Sequence, residues 1–152
     1  MRTIYNKCLD GYTKRLPPRT EEDQQDWWRT QGPETVWAFL YLPADKPWRF
    51  VAFSLLRKHG DGAMSPIMGV RPEDRGKGYG KAVVKHYLSA ATGPLIGEAF
   101  VSNSAINTIN EELGWKAVGE VDGVLKLFHP GPVPPGRQQE ILDEIMRYHE
   151  SL

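Results

Sequence analysis

The sequence predicts a mixed α/β or α+β fold, and three observations support that prediction. Segments dense in β-branched and aromatic residues, typical of strands, follow one another between residues 35 and 70. Two later segments carry apolar residues three and four positions apart, which is the spacing of amphipathic helices. Strand-like segments separate and follow these helices, so the predicted order is hairpin, strand, helix, strand, helix, strand pair.

The first part of the chain is predicted to hold a weak strand, a helix and a hairpin. Ile4 to Cys8 could form a short first strand. Thr20 is a candidate N-cap because acidic residues fill the first turn after it, and that helix should stop near Gly32-Pro33. Thr35 to Leu42 and Trp48 to Arg57 have strand composition and a short connection, which predicts an antiparallel hairpin.

The remaining elements follow from glycine, proline and apolar spacing. Ala63 to Val70 is the third predicted strand, and Pro66 should either delay its start or cause a bulge, because proline cannot donate to a ladder. The later elements are listed by type and range: helix Gly78–Ala91, strand Leu95–Val101, helix Ser104–Leu113, strands Trp115–Glu120 and Val124–Phe128, and helix Glu140–His149. Residues 1–130 are expected to form one domain. Residues 131–152 should form a linker and a helix that packs on the domain or on a partner.

Composition excludes several classes of function. The 152 residues are 40% hydrophobic and 25% charged, which suits one soluble domain. Lys+Arg and Asp+Glu both number 19, which argues against nucleic acid or an acidic membrane as partner. Cys8 is the only cysteine, the four histidines lack metal-ligand spacing, and no apolar run approaches the roughly 20 residues of a membrane span. No signal peptide is apparent, so a cytoplasmic protein without a metal is expected.

The most informative segment is the glycine-rich loop between the third strand and the following helix. Gly76, Gly78 and Gly80 occupy alternate positions, with Arg75, Lys77 and Lys81 beside them. The first N–H groups of a helix lack partners and, with the helix dipole, attract an anion, while glycine lets the backbone approach it closely. A pyrophosphate is therefore the expected ligand. The spacing matches neither a Walker loop nor a dinucleotide fingerprint.

The loop resembles the pyrophosphate loop of the GNAT superfamily of N-acetyltransferases. That signature is Arg or Gln, two residues, Gly, one residue, then Gly or Ala, and Arg75, Gly78 and Gly80 match it. A second segment, from Asn103 through Ala105 to Leu113-Gly114-Trp115, resembles the family's later segment of Asn, a helix and Leu-Gly-aromatic. The resemblance covers about Trp48 to Phe128. It implies a central, mostly antiparallel mixed twisted sheet of about six or seven strands, flanked by helices, with two splayed central strands and an extra C-terminal helix.

The resemblance also implies roles for particular residues in holding acetyl-coenzyme A (acetyl-CoA) as cosubstrate. The backbone of Met68 and Val70 should bond the pantetheine arm like an added strand. The loop should hold the pyrophosphate through Arg75, Gly76, Lys77, Gly78, Tyr79, Gly80 and Lys81. Asn103 should contact the cofactor through its side chain, or cap the following helix, or do both. A backbone N–H near the thioester carbonyl would stabilise the oxyanion.

Several residues are candidates for the catalytic roles. The family usually carries a tyrosine, the general acid, four positions before the Gly of its Leu-Gly-aromatic segment, and here that position is Asn110. Tyr79 or Ser102 could serve instead, the thiolate could leave unaided, or turnover could be absent. Glu98 is the first candidate for the base that accepts the ammonium proton, with a solvent-facing strand residue as the alternative. Glu34 and Asp61 are weaker candidates for this base.

Three functions follow as hypotheses. The first is an N-acetyltransferase that moves the acetyl group from acetyl-CoA directly to a primary amine, on a small molecule, a protein or a peptide. The second is a non-catalytic acyl-CoA-binding regulatory module, motivated by Asn110. The third is a small protein-interaction domain in which the loop is incidental. Trp27-Trp28 could line the acceptor pocket or pack in the core, and the chain could be a monomer or a homodimer.

Overall fold

The computed structural model describes residues 20–30 and 36–150, with some side chains near the C-terminus left out. The described elements are listed in chain order: α1 (Glu21–Thr30), β1 (Val36–Tyr41), β2 (Ala52–Lys58), β3 (Met64–Val70), α2 (Tyr79–Ala90), β4 (Leu95–Phe100), α3 (Ser104–Glu112), β5 (Lys116–Val121), β6 (Val124–His129) and α4 (Pro135–Glu150). The mixed α/β class is thus confirmed. The weak strand predicted at Ile4–Cys8, and also Gly32, Pro33 and Glu34, lie outside the described residues.

The strands form one six-stranded sheet in the order β1-β2-β3-β4-β6-β5. All neighbouring pairs are antiparallel except β3 and β4, which are parallel. The predicted hairpin of β1 and β2 is confirmed, with Tyr41 opposite Ala52 at its loop end. A parallel pair in the middle of the sheet requires a crossover, and α2 provides it.

Helices α2 and α3 cover one face of the sheet. Val83 and Val84 of α2 share one buried cluster with Leu95 and Ala99 of β4, and α3 contacts α2. Partners in an antiparallel register share a face, so Ile96 of β4 and its β6 partner Phe128 lie on the opposite face. That face carries α4, because Leu142 lines a cavity of about 160 Å³ together with Phe128.

The N-cap of α1 forms as predicted. The Thr20 Oγ1 accepts the Asp23 N–H at 3.1 Å, and the Asp23 carboxylate accepts the Thr20 N–H at 2.8 Å. This reciprocal pair satisfies two donors at the helix start. The Trp27 side chain is half-buried, whereas that of Trp28 lies outside what the structure describes.

Three predicted boundaries are wrong. β2 begins at Ala52 rather than Trp48, because turns closed by Lys46 N to Pro43 O and Arg49 N to Lys46 O occupy the start of that range. Pro66 neither delays β3 nor bulges, and it stands in regular register with Leu56. The last helix begins at Pro135, five residues before the predicted Glu140, because proline suits the first position of a helix.

Candidate functional site

The glycine-rich loop leaves the sheet at the C-terminal end of β3 and leads directly into α2. A short 3₁₀ turn, Pro72–Asp74, precedes it. Gly78 is the N-cap of α2 at φ 87°, and Gly76 has φ 75°, so both adopt the left-handed region that favours glycine. A glycine N-cap offers no side chain, and no side chain among the described residues caps this helix end. The first N–H groups of α2 are therefore available to an external acceptor.

The space above the loop is open at two of its three glycines. Within the described chain, no atom lies within 4 Å of a Cβ built on Gly76 or Gly78. A side chain at either position would project into this open space. Gly80 is different, since its Cβ would touch the Ile109 side chain of α3 at 3.5 Å. The loop thus has two glycines that face open space and one glycine against a neighbouring helix.

The positive residues of the loop are held by contacts within the protein. Lys77 Nζ lies 3.2 Å from the Asp74 carboxylate, and Lys81 pairs with Glu112 of α3. Arg75 Nε donates to the Val70 carbonyl at 3.3 Å. These contacts place three cations around the start of α2, and two of them, Lys77 and Lys81, are each paired with a carboxylate.

A buried carboxylate anchors the loop to the β1–β2 hairpin. Asp74 is only 3% exposed and accepts from Arg49 Nη1 at 3.0 Å. The hydrogen bond from Arg49 holds the pKa of the Asp74 carboxyl below its ordinary value, and Lys77 acts in the same direction. Arg71 adds a second tie by donating Nε to the Phe50 carbonyl at 2.6 Å. No local sequence pattern predicts this bracing, because Arg49 and Asp74 are distant in sequence.

A gap opens beside the loop between the parallel strands β3 and β4. Within the described sheet their pairing is confined to Met64 and Leu95, although the strands continue to Val70 and Phe100. The N–H and C=O of successive strand residues point to alternate sides. Because Met64 N donates to the Pro94 carbonyl at 2.8 Å, Met68 also directs its backbone groups toward β4. The gap between β3 and β4 is called the slot below.

The facing strand contributes backbone groups to the same slot. The Pro94 carbonyl accepts the Met64 N–H of β3. Val101 N points away from β3 and donates to the Gly123 carbonyl at 2.9 Å. By the same alternation, Ile96 and Glu98 direct their backbone toward β3. The slot is therefore lined on both sides by peptide groups, and it opens at the end where the loop lies. Strand edges lined in this way carry the backbone groups with which an extended amide-bearing chain pairs in strand addition.

The second predicted segment forms helix α3 with a cap at each end. Asn103 is the N-cap, and its Oδ1 accepts the Ile106 N–H at 3.4 Å, so the predicted capping interaction is confirmed. The C-terminus is a Schellman motif, in which Trp115 N bonds the Asn110 carbonyl at 2.9 Å and Gly114 N bonds Glu111. Gly114 has φ 90°, and a Cβ there would lie 3.3 Å from the His129 ring. The helix end thus requires a glycine between Leu113 and Trp115, because the residue there must adopt a positive φ.

Asn110 occupies the position at which the resembling family carries its acid. Its side chain is 6% exposed, and its Oδ1 has no hydrogen-bond partner among the described residues. A buried polar atom without a partner is costly, so this amide is a conspicuous feature of the region. An amide cannot deliver a proton to a leaving thiolate. The other predicted donors differ in exposure, with Tyr79 half-buried at the start of α2 and Ser102 exposed after β4.

Glu98, the predicted base, lies on the face of the sheet opposite α2. Its carboxylate forms an ion pair with Lys126, its partner on β6, and the two side chains are 30% and 31% exposed. The carboxylate is therefore partly accessible beside the slot. Asp61 lies at the other end of β3, where its Oδ1 accepts the Ala63 N–H at 2.9 Å in a turn. The structure thus brings Glu98, but not Asp61, next to the open part of the slot.

A hydrogen-bonded chain that runs from a buried serine to an exposed histidine on the α2 face has no counterpart in the predictions. The Ser54 Oγ is 2.7 Å from the Tyr41 hydroxyl, which is 2.8 Å from His86 Nδ1. Burial raises the pKa of Tyr41 above its ordinary value, whereas the hydrogen bond with Ser54 acts in the opposite direction. Ser54 stands opposite Met68 in the β2–β3 register. These three residues come from β1, β2 and α2, and no sequence motif indicates that they meet.

The fold matches that of a known superfamily. The six-stranded sheet with one parallel central pair, flanked by four helices, is the fold of the GNAT superfamily of N-acetyltransferases, as the resemblance implied. No protein-family model matches the sequence, and no curated protein matches it. No helix among residues 20–30 and 36–150 is long and apolar enough to cross a membrane.

Three solved structures illustrate the similarity. A phosphinothricin acetyltransferase of the GNAT superfamily from Sinorhizobium meliloti, in complex with acetyl-CoA, is 16% identical with a TM-score of 0.70, covering 89% of this chain and 83% of that one. A spermidine N-acetyltransferase from Vibrio cholerae, in complex with CoA and spermine, is 14% identical with a TM-score of 0.65, covering 86% and 83%. An N-acetyltransferase from Staphylococcus aureus is 17% identical with a TM-score of 0.66, covering 83% and 86%. At these identities the similarity establishes the fold.

Proposed function

We propose that this chain is an N-acetyltransferase that transfers the acetyl group of acetyl-CoA directly to a primary amine. The observation that carries the proposal is the junction of two features, the open loop at Gly76 and Gly78 and the slot lined by backbone groups beside it. The loop suits a pyrophosphate, and the slot suits the amide-bearing pantetheine arm. Solved proteins of the same fold hold acetyl-CoA or CoA, which supports this choice of ligand.

In this proposal the loop and the two strands position the cosubstrate. The first amides of α2, with Lys77 and Arg75, bind the pyrophosphate, and Met68 bonds the pantetheine amides. The thioester then lies in the slot, where a backbone N–H of β3 or β4 can donate to the carbonyl oxygen as it becomes an oxyanion. The protein thus supplies orientation and electrostatic stabilisation, while the thioester supplies the activated acyl group.

Glu98 is the proposed base. The amine attacks as the free base, so a carboxylate near the slot must accept a proton from the ammonium form, directly or through water. An incoming ammonium group would compete with Lys126 for the Glu98 carboxylate. The thiolate then leaves either unaided or with a proton from Tyr79 or Ser102, because Asn110 has no proton to give.

The second candidate is an acyl-CoA-binding regulatory module without turnover. The specific observation in its favour is the buried Asn110 at the position of the family's acid. Both candidates predict tight CoA binding. Only the enzyme predicts continuous thiol release from acetyl-CoA when an amine is present.

The test is thiol release with a panel of primary amines: a polyamine, an amino-acid amide, a peptide with a free N-terminus and a lysine peptide. We expect amine-dependent release for at least one class, and binding without release for all four would favour the regulatory module. Glu98→Gln should lower the rate most at low pH, where the amine is protonated. Lys126→Met is the matched control, since it breaks the same ion pair but keeps the carboxylate. Equal losses of rate in Glu98→Gln and Lys126→Met would mean that the ion pair matters only for the structure and that Glu98 is not the base.

A further inference from the structure

The slot begins at a proline within a central strand. β3 lies between β2 and β4, and Pro66 stands at its third position. Proline is normally confined to edge strands, because it cannot donate to a ladder. The register with β2 nevertheless continues without interruption through Leu56 and Pro66. Because the ladder between β2 and β3 is intact, the side of Pro66 that lacks an N–H must face the other neighbouring strand, β4.

The hydrogen bonds show which neighbour that is. Met64 N donates to Pro94 on the β4 side, whereas Arg71 N donates to Val51 on the β2 side, both at about 2.9 Å or less. Even-numbered residues of β3 therefore face β4, and odd-numbered residues face β2. The N–H of residue 66 would point at β4, and the parallel ladder would need it for its next bond, to the Ile96 carbonyl. The described pairing of β3 with β4 stops at Met64, one step before that bond.

We infer that Pro66 is a positioning residue that keeps the slot open for the pantetheine arm of acyl-CoA by withholding the N–H that would extend the β3–β4 ladder. The inference rests on the proposed function and gives the reason why the slot between β3 and β4 is open. An N–H at position 66 would bond Ile96. Met68 and Glu98, whose backbones already face each other across the slot, would then be brought into pairing. Such pairing would compete with the cosubstrate for the same backbone groups.

The variant that tests this is Pro66→Ala, which restores the N–H. One added hydrogen bond contributes about 0.5–1.5 kcal/mol, so acetyl-CoA should bind about two- to ten-fold more weakly, and more weakly still if further bonds form. Without ligand, hydrogen exchange at the Met68 and Glu98 amides should slow, which a general loss of stability would not produce. Pro47→Ala, in the exposed hairpin loop, controls for the effect of losing a proline on the unfolded chain.

A backbone ester isolates the N–H from the proline ring. Lactic acid introduced at position 66 has the methyl side chain of alanine but no N–H. We expect the ester variant to bind acetyl-CoA like the wild type. Hydrogen exchange at the Met68 and Glu98 amides should stay as fast as in the wild type. Weak binding by the ester equal to that of Pro66→Ala would overturn the inference, because the ring rather than the missing donor would then matter.

The wild-type titration separates this inference from the proposed function. If the wild type binds no acetyl-CoA, the proposed function fails. Hydrogen exchange in folded Pro66→Ala still tests whether an N–H at position 66 extends the β3–β4 ladder. If the wild type binds and a folded Pro66→Ala binds equally well with unchanged exchange, the inference alone fails. Circular dichroism and thermal unfolding establish that each variant is folded.

Discussion

Replacing Gly78 by alanine should abolish much of the affinity for acetyl-CoA while leaving the fold intact. Gly78 has φ 87°, and an added Cβ meets no atom of the described chain within 4 Å. The folded state therefore bears only the conformational cost of an L-residue in the left-handed region, about 1–2 kcal/mol. In a domain of this size that corresponds to a fall in melting temperature of a few degrees, about 2–4 °C for each kcal/mol.

The effect on binding should be larger than the effect on folding. The new methyl group occupies the space that a phosphate must enter to reach the first amides of α2. Losing one hydrogen bond to a charged group costs about 1.5–3 kcal/mol, which is about ten- to hundred-fold in Kd. Isothermal titration with acetyl-CoA measures this quantity directly.

The chain offers a matched control at Gly62. It has the same φ of 87°, and a Cβ there also meets nothing within 4 Å among the described residues. Gly62 lies in the turn before β3, about 20 Å from the loop at a rise of about 3.3 Å per residue. Gly62→Ala should lose the same stability and keep wild-type affinity. Equal affinities for the two variants would show that no anion binds over Gly78, and the loop assignment would be wrong.

Two predictions concern pH. The pKa of Asp74 is lowered, mainly by Arg49, so its contribution to stability is present above the ordinary carboxyl pKa and is lost as the pH falls through the folded value. The difference in unfolding free energy between wild type and Asp74→Asn, from denaturant titrations, should therefore shrink below about pH 4, and a constant difference would refute the pairing. Burial lowers the pKa of His129, which donates to one backbone carbonyl and accepts from one backbone N–H. Stability should therefore fall as the pH drops below about 6.5, the ordinary histidine pKa, toward the lower folded value, and His129→Asn should flatten that slope.

The parts of the site that the sequence predicted are local in sequence. Gly76 and Gly78 take positive φ within one continuous loop, and the step from strand to helix is encoded on either side of them. The end of α3 is similar, because Gly114 in the left-handed region is sufficient to stop a helix. Such features depend on the backbone of a few adjacent residues, and residue type alone reveals them.

The parts that were missed depend on which residues meet across the fold. Arg49 reaches Asp74 only because the β1–β2 hairpin lies beside the loop. The effect of Pro66 depends on which neighbouring strand its missing N–H faces, and that requires the strand order. Pro135 is typical of a linker by composition, although proline also suits the first turn of a helix. The position of Glu98 on a strand is local information, whereas its pairing with Lys126 depends on the β6 register.

Thermal unfolding with and without acetyl-CoA tests the central claim most directly, because a ligand that binds only the folded state must stabilise it. At one hundred times Kd the expected stabilisation is about 2.7 kcal/mol, which raises the melting temperature by several degrees. CoA should act similarly, whereas adenosine alone, which lacks both the pyrophosphate and the pantetheine arm, should have little effect. An unchanged melting temperature at millimolar acetyl-CoA would contradict the assignment of the loop and the slot together.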